Sequence, residues 1–164
     1  MSIAEAIDAI QINYVSLGLK IADMIHRGAH FTASPQAEEC ASYSLWRDEE
    51  DYFIDWTTSA TTIKRFIDAV GFPYKGAASI LDGKIVRILQ AEALDDVKIE
   101  NRSPGKVIFI RSSRPVVVCG QGLLRIDELK DEHGSVLLPL PKFRMRFRGF
   151  ADIVAPVDAD KPRR

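Results

Sequence analysis

Apolar side chains recur along the first segment at Ile3, Ile7, Ile10, Tyr14, Leu17, Ile21 and Met24, in steps that alternate between four and three residues. That period lays a single stripe along a helix of about six turns, Ser2–Arg27. Ile25 widens the stripe. Arg27-Gly28 closes it, with a basic side chain for the negative helix end and a glycine for the stop. The repeat is too short for a sustained coiled coil, so it predicts one long helix packed on a globular neighbour. Periodicity lapses over residues 29–54. Ser34-Pro35 signals a turn, and Ala41–Trp46 reads as a short strand or an extended arm. In the run Arg47-Asp48-Glu49-Glu50-Asp51, consecutive acids point in different directions and no histidine lies near. The run therefore predicts a solvated loop rather than a metal site.

A second helix begins at Thr57, Thr58 or Ser59, each able to accept a hydrogen bond from a free N–H at a helix start. Ala60, Ile63, Phe66, Ile67 and Val70 then share one face, with Lys64, Arg65 and Asp68 on the others. Gly71 is expected to end the helix in the left-handed conformation, and Pro73 to prevent its resumption. Beyond Ala77 the period shortens to two. Ala78 and Ile80, then Asp82-Gly83, then Ile85, Arg87 and Leu89 spell a β-hairpin about a tight turn. A polar connection, Asp95–Arg102, leads through Ser103-Pro104-Gly105 into a strand over Lys106–Ile110. Arg111–Arg114 turns the chain into Pro115–Cys119, and Gly120-Gln121-Gly122 leads into Leu123–Leu129. Apolar Val136–Pro141 precedes Lys142-Phe143-Arg144-Met145-Arg146-Phe147-Arg148, whose alternation predicts an amphipathic strand. The result is an α+β chain: a long helix, an extended arm and a second helix, then a small curled antiparallel sheet or barrel. A loose tail is expected over residues 151–164.

Composition narrows the class. The chain has 164 residues, 46% of them apolar, enough for one core or two small ones. No run approaches the ~20 apolar residues that span a bilayer, and Met1–Glu5 lacks the features of a secretory signal. A soluble cytoplasmic protein without membrane contact is expected. Cys40 and Cys119, in unlike contexts and without a histidine at ligand spacing, read as two buried free thiols. Residues 1–75 carry 6 basic and 11 acidic side chains, whereas residues 76–150 carry 13 basic and 9 acidic. A basic second half suits a polyanion or a nucleotide diphosphate, or is simply a solvated surface of mixed sign. Catalytic groups do not cluster: there is no HExxH, phosphate loop or nucleophile elbow. Asp55 reads as an aspartate held by free N–H groups near a helix start rather than as a base, and His26 as a capping or surface residue.

Ile54-Asp55-Trp56, the helix after it, Gly71-Phe72-Pro73-Tyr74-Lys75-Gly76-Ala77, Ser103-Pro104-Gly105-Lys106-Val107-Ile108 and Val116–Leu124 follow one another in a telling order. In that order they resemble the formyltransferase superfamily downstream of its catalytic site. The matching features are its I-D-W, its Pro-aromatic-Pro-Gly-Ala turn (Lys75 standing at the second proline), its P-G-x-[IV] strand start and its V-x-C-G-D-G-x-L hairpin. The superfamily includes methionyl-tRNA formyltransferases and sugar-nucleotide N-formyltransferases.

The resemblance implies that residues 75–150 form an OB-like antiparallel β-barrel. It implies that residues 1–74 are a helical region normally packed on a formyl-donor domain, and that a full-length enzyme uses 10-formyltetrahydrofolate. The family's chemistry rests on an Asn-x-His pair and an Asp. Asn13 and Asn101 are the only asparagines, and neither is followed two residues later by histidine. No catalytic residue, metal ligand or cofactor is therefore expected in this chain, nor activity from it alone. Substrate binding is expected of Tyr74, Lys75 and Phe72, on the turn where the family's cleft opens. There an aromatic face can stack on a base and an ammonium can meet a diphosphate. Alternatively the two rings plug the helix–barrel junction, Phe72 more readily than Tyr74.

The charged run before Ile54 and the Phe72–Gly76 turn look more like the branch that N-formylates an amino-sugar nucleotide. The alternatives are the tRNA-binding C-terminal portion of a methionyl-tRNA formyltransferase, or a stand-alone OB-like nucleic-acid-binding module built on Phe143, Arg144, Arg146, Phe147 and Arg148. The expected partner is a missing N-terminal catalytic domain, or a second copy in a homodimer, covering the first helix's stripe.

Overall fold

The computed structural model describes residues 1–30 and 32–154. Helix α1, Ile3–His26, starts at a reciprocal cap: the Ser2 hydroxyl accepts from the Glu5 amide, and the Glu5 carboxylate accepts from the Ser2 amide at 2.7 Å. Gly28 at φ +64° follows its end, as expected. Within the chain its apolar stripe is almost uncovered. Ile3 and Ile7 are half-buried, but from Asp8 onward every residue of the helix is exposed, including Ile10, Tyr14, Leu17, Ile21 and Met24. The neighbouring helix has already spent its apolar face on the sheet and leaves α1 little to pack on. Ala41–Asp48 carries no strand; it is the extended arm, with Trp46 98% exposed.

Helix α2, Ala60–Val70, is capped by Ser59, whose hydroxyl accepts from the Thr62 amide at 3.1 Å. It buries Ala60, Ile63, Ile67 and Val70. Gly71 ends it at φ −68° and ψ −170°, extended rather than left-handed. A Cβ added there would make a tight contact, 3.3 Å from the Ile67 carbonyl oxygen.

Six strands follow: β1 Ala77–Leu81, β2 Lys84–Leu94, β3 Val107–Arg111, β4 Arg114–Val118, β5 Leu123–Asp131 and β6 Phe147–Arg148, antiparallel in the order β3-β4-β5-β2-β1-β6. The β1–β2 turn is Asp82-Gly83 at φ +48° and +77°, and the β3–β4 turn is Ser112-Ser113 at φ +48° and +62°. Two positive φ values match the twist of a two-residue hairpin. The long β2–β5 pairing, Val86↔Asp131 to Leu94↔Leu123, is interrupted between Ile88 and Ala91 by bulges. Bulges of this kind increase local twist. The sheet curls until its outer ends meet. The Val107 amide donates to the Met145 carbonyl at 3.0 Å, the Phe147 amide to the Gly105 carbonyl at 2.8 Å, and Lys106 pairs with Arg146.

The last strand is shorter than the alternation predicted. Leu81 pairs with Phe147 at the end of β1, where the Asp82-Gly83 turn begins, so residues before 147 have no β1 partner. The alternation holds from Arg144 onward, with Met145 and Phe147 buried and Arg144, Arg146 and Arg148 exposed, whereas Phe143 is 52% exposed. One core runs from Ile54, Trp56, Ile63 and Ile67 through Ile88, Ile126 and Leu129 to Phe147. Of the expected tail, Ala151–Val154 forms a short helix, and residues 155–164 lie outside the described residues. No described helix is long and apolar enough to cross a membrane.

Candidate functional site

The site is framed by the way Ile54-Asp55-Trp56 enters the sheet. The Ile54 amide donates to the Ala78 carbonyl at 2.9 Å, placing the segment beside β1. The Trp56 indole is then buried, 5.5 Å from the Phe147 ring, and its N–H donates to Ser79 Oγ at 3.1 Å. Ser79 in turn donates to the Arg148 carbonyl at 2.9 Å. A buried indole N–H and a buried hydroxyl thus satisfy each other across three segments. Asp55 is occupied locally, its Oδ1 accepting from the Thr57 amide at 2.9 Å and the Thr57 hydroxyl at 2.6 Å. It shapes a turn and is not aimed at a reactant.

The turn after α2 folds back on the helix end: the Tyr74 amide donates to the Gly71 carbonyl at 2.8 Å, and the Gly76 amide to Val70 at 2.9 Å. This projects Phe72, 77% exposed, and Tyr74, 51% exposed. Neither ring plugs the junction, because Ile67, Val70, Ala77 and Ile88 already fill it. Phe72, Tyr74 and Lys75 instead border a groove of about 1190 Å³. Its floor includes Ile85, Arg87 and Leu89, which share one face of β2.

The groove's charges form a chain. Lys75 Nζ donates to one oxygen of Glu49, and Arg87 Nη2 donates to the other at 3.2 Å, with Glu132 3.8 Å away. These contacts hold the Glu49 carboxyl below the usual carboxylate range, the Lys75 hydrogen bond contributing most and Arg87 next. Arg87 is only 9% exposed, and its Nη1 is buried without a hydrogen-bond partner among the described residues. The acidic run is therefore not merely a solvated loop. Glu49 ties it to the barrel, Asp51 accepts from the Asp48 amide at 2.9 Å, and the Arg47 guanidinium stands 5.6 Å above the Phe66 ring. Of the residues that line this groove, the sequence pointed to Tyr74, Lys75 and Phe72 and not to Arg87 or Glu49. One signal was available: Arg87 is a cation in line with Ile85 and Leu89.

A second charged feature lies on the outside of the barrel. Arg144, Arg146 and Arg148 alternate outward, and Lys106 pairs across from Arg146. None of the four makes an ion pair among the described residues. Cys119 is buried, and desolvation pushes its thiol up to about 12. Cys40 is exposed on the arm, contrary to the expectation of two buried thiols. Among the described residues no group of three or more histidine, cysteine or acidic side chains is placed to hold a metal. Nor do the described residues fit a formyl-folate reaction centre: Asp55 is committed to Thr57, His26 and His30 are exposed at the end of α1 and just beyond it, and His133 is exposed in the turn after β5.

Two helices leading into a curled antiparallel sheet, with a grooved junction on one side and a basic seam on another, define an α+β barrel module. The profile of the family described as formyl transferase, C-terminal domain, matches residues 47–139, and the chain belongs to that family. Methionyl-tRNA formyltransferase of Herminiimonas arsenicoxydans is 37% identical over 122 residues, 73% of this chain and 36% of that protein. The methionyl-tRNA formyltransferase of Ralstonia nicotianae is 32% identical over 111 residues, 68% of this chain and 33% of that protein. The chain thus spans about a third of the length of the curated relatives it matches. Among solved structures, a multiply substituted variant of HypX from Aquifex aeolicus aligns with a TM-score of 0.54 at 21% identity, covering 87% of this chain and 23% of that one. At that identity the likeness speaks for the fold.

Proposed function

We propose that this chain forms the substrate-holding C-terminal part of a formyltransferase, and that the substrate it holds is a tRNA. The observation that carries this reading is the outward basic seam of Arg144, Arg146, Arg148 and Lys106, unpaired among the described residues and adjacent across the barrel's closure. Cations free of internal partners are the groups that release counterions from a phosphate backbone. The names of the relatives point the same way. Formyl transfer from a 10-formyltetrahydrofolate donor then belongs to a catalytic domain that covers the apolar stripe of α1. Binding of a formylatable tRNA as a function of salt tests the reading. The affinity should fall steeply with salt, and replacing Arg144 and Arg146 by alanine should lower the slope of log K against log salt by about 2. Absence of binding at low salt, or an unchanged slope, contradicts it.

A second reading, N-formylation of an amino-sugar nucleotide, draws on the groove. Exposed Tyr74 beside Lys75 offers a stacking face next to a cation, an arrangement that suits a nucleoside diphosphate.

A further inference from the structure

An arginine on the outer face of a strand would ordinarily lie along the surface with its guanidinium in water. Arg87 does not. Its guanidinium is sunk into the floor of the groove, and Nη1 meets no acceptor among the described residues. A buried charged donor without a partner is costly, and such a group marks a position that something else completes. The carboxylate that partly completes it is Glu49, held between Arg87 and Lys75 although its side chain is 59% exposed. Glu132 stands farther from Arg87, at 3.8 Å, and four other acids around the groove have partners of their own. Asp68 is paired with Lys64 at 2.5 Å and Glu128 with Lys130 at 2.7 Å. Asp131 accepts from the amides of His133 and Ser135, and Glu5 from the amide of Ser2. Glu49 alone sits between two cations, and its exposed side chain can swing away without disturbing the core.

We infer that Arg87 and Lys75 form a binding site for a phosphoryl group, and that Glu49 occupies this site in the absence of ligand and is displaced by it. A guanidinium fork matches two phosphate oxygens, and a flexible ammonium supplies the second charge. A phosphate carries more acceptor oxygens than the Glu49 carboxylate, which serves Nη2 and leaves Nη1 without a partner among the described residues. The site stands apart from the basic seam and does not depend on which substrate the barrel holds. A nucleoside diphosphate and the terminal phosphate of a nucleic acid share the required chemistry.

Titration of the full chain with inorganic pyrophosphate, followed by calorimetry or backbone amide shifts, tests the site. Wild type should bind weakly, with shifts at residues 49, 75 and 87. Glu49→Gln removes the competing carboxylate from an exposed position and should tighten binding about tenfold. Arg87→Lys keeps the charge but loses the fork, and should weaken binding at least about fivefold. Lys75→Met, at an exposed side chain, should do the same without affecting the fold. Seam substitutions at Arg144 and Arg146 should leave pyrophosphate binding unchanged. Uridine diphosphate and a 5′-phosphorylated oligonucleotide, run in parallel, identify the source by which of them gains over pyrophosphate. If neither wild type nor Glu49→Gln binds pyrophosphate, or if Glu49→Gln and wild type bind it equally, the site fails.

Discussion

The amide of Gly120 donates to the carbonyl of Trp56 at 3.0 Å and shares its hydrogen with the Thr58 carbonyl at 2.9 Å. Two motifs separated by more than sixty residues are thereby one structural unit. A Cβ added to Gly120 would lie 1.7 Å from the Thr57 carbonyl oxygen, a contact no side-chain movement relieves. The turn begun by Asp55 therefore requires glycine at 120, and it holds Trp56 over Phe147.

Gly120→Ala should accordingly destabilise the protein by about 3 kcal/mol or more, since backbone must move to admit one methyl. Gly134→Ala is the control. Gly134 has φ +87° but open space around it, so only the left-handed backbone penalty of about 1–2 kcal/mol applies. Urea unfolding of both variants gives the comparison, and equal losses would contradict the account of Gly120.

Glu49 makes stability depend on pH with a definite sign. Its carboxyl is lowered from an ordinary 4.5 by Lys75 and then Arg87. A lowered carboxyl contributes stability that is full above the ordinary value and is lost as pH falls through the lowered one. Wild type should be more stable than Glu49→Gln at neutral pH, and the difference should shrink below 4.5 and vanish in stronger acid. Denaturant midpoints of the two proteins across pH would show it. A constant difference would mean that Glu49 is not held by the two cations.

The two thiols should react very differently. Cys40 is exposed, whereas Cys119 is buried with its thiol pushed up to about 12, leaving almost no thiolate near neutrality. Native protein should titrate one thiol with a disulfide reagent and unfolded protein two. Cys40→Ser should leave the native protein unreactive.

The open face of α1 predicts association. Tyr14, Leu17 and Ile21 are exposed along one stripe, and covering each such side chain contributes about 1.5–3 kcal/mol. Leu17→Glu with Ile21→Glu should leave the barrel's unfolding midpoint unchanged and shift light scattering from an associated species to a monomer. A wild-type chain that is already monomeric with α1 fully helical would contradict the expectation.

What the sequence made legible was local. The four-three rhythm of Ile3 to Met24 and the apolar face of Ala60 to Val70 predict their helices, because each pattern is complete within its own segment. Asp82-Gly83 predicts its hairpin because positive φ is a property of those two residues. What stayed hidden depends on distant partners. The shortness of β6 follows from where β1 stops, and the exposure of Phe72 follows from Ile67, Val70 and Ile88 having filled the junction first. Arg87 and Glu49 lie 38 residues apart and meet only once the arm has folded over β2. The candidate groove was therefore half legible: its rim at Tyr74 and Lys75 came from a recognisable turn, and its buried cation did not.

The most direct test of the tRNA reading is to map, residue by residue, where a formylatable tRNA touches the isotopically labelled chain at low salt. Backbone amide signals of Lys106, Arg144, Arg146 and Arg148, and the guanidinium signals of the three arginines, should shift first and most, and should recover as salt is raised. Shifts confined to α1, or no shifts along the seam at any salt concentration, would contradict it.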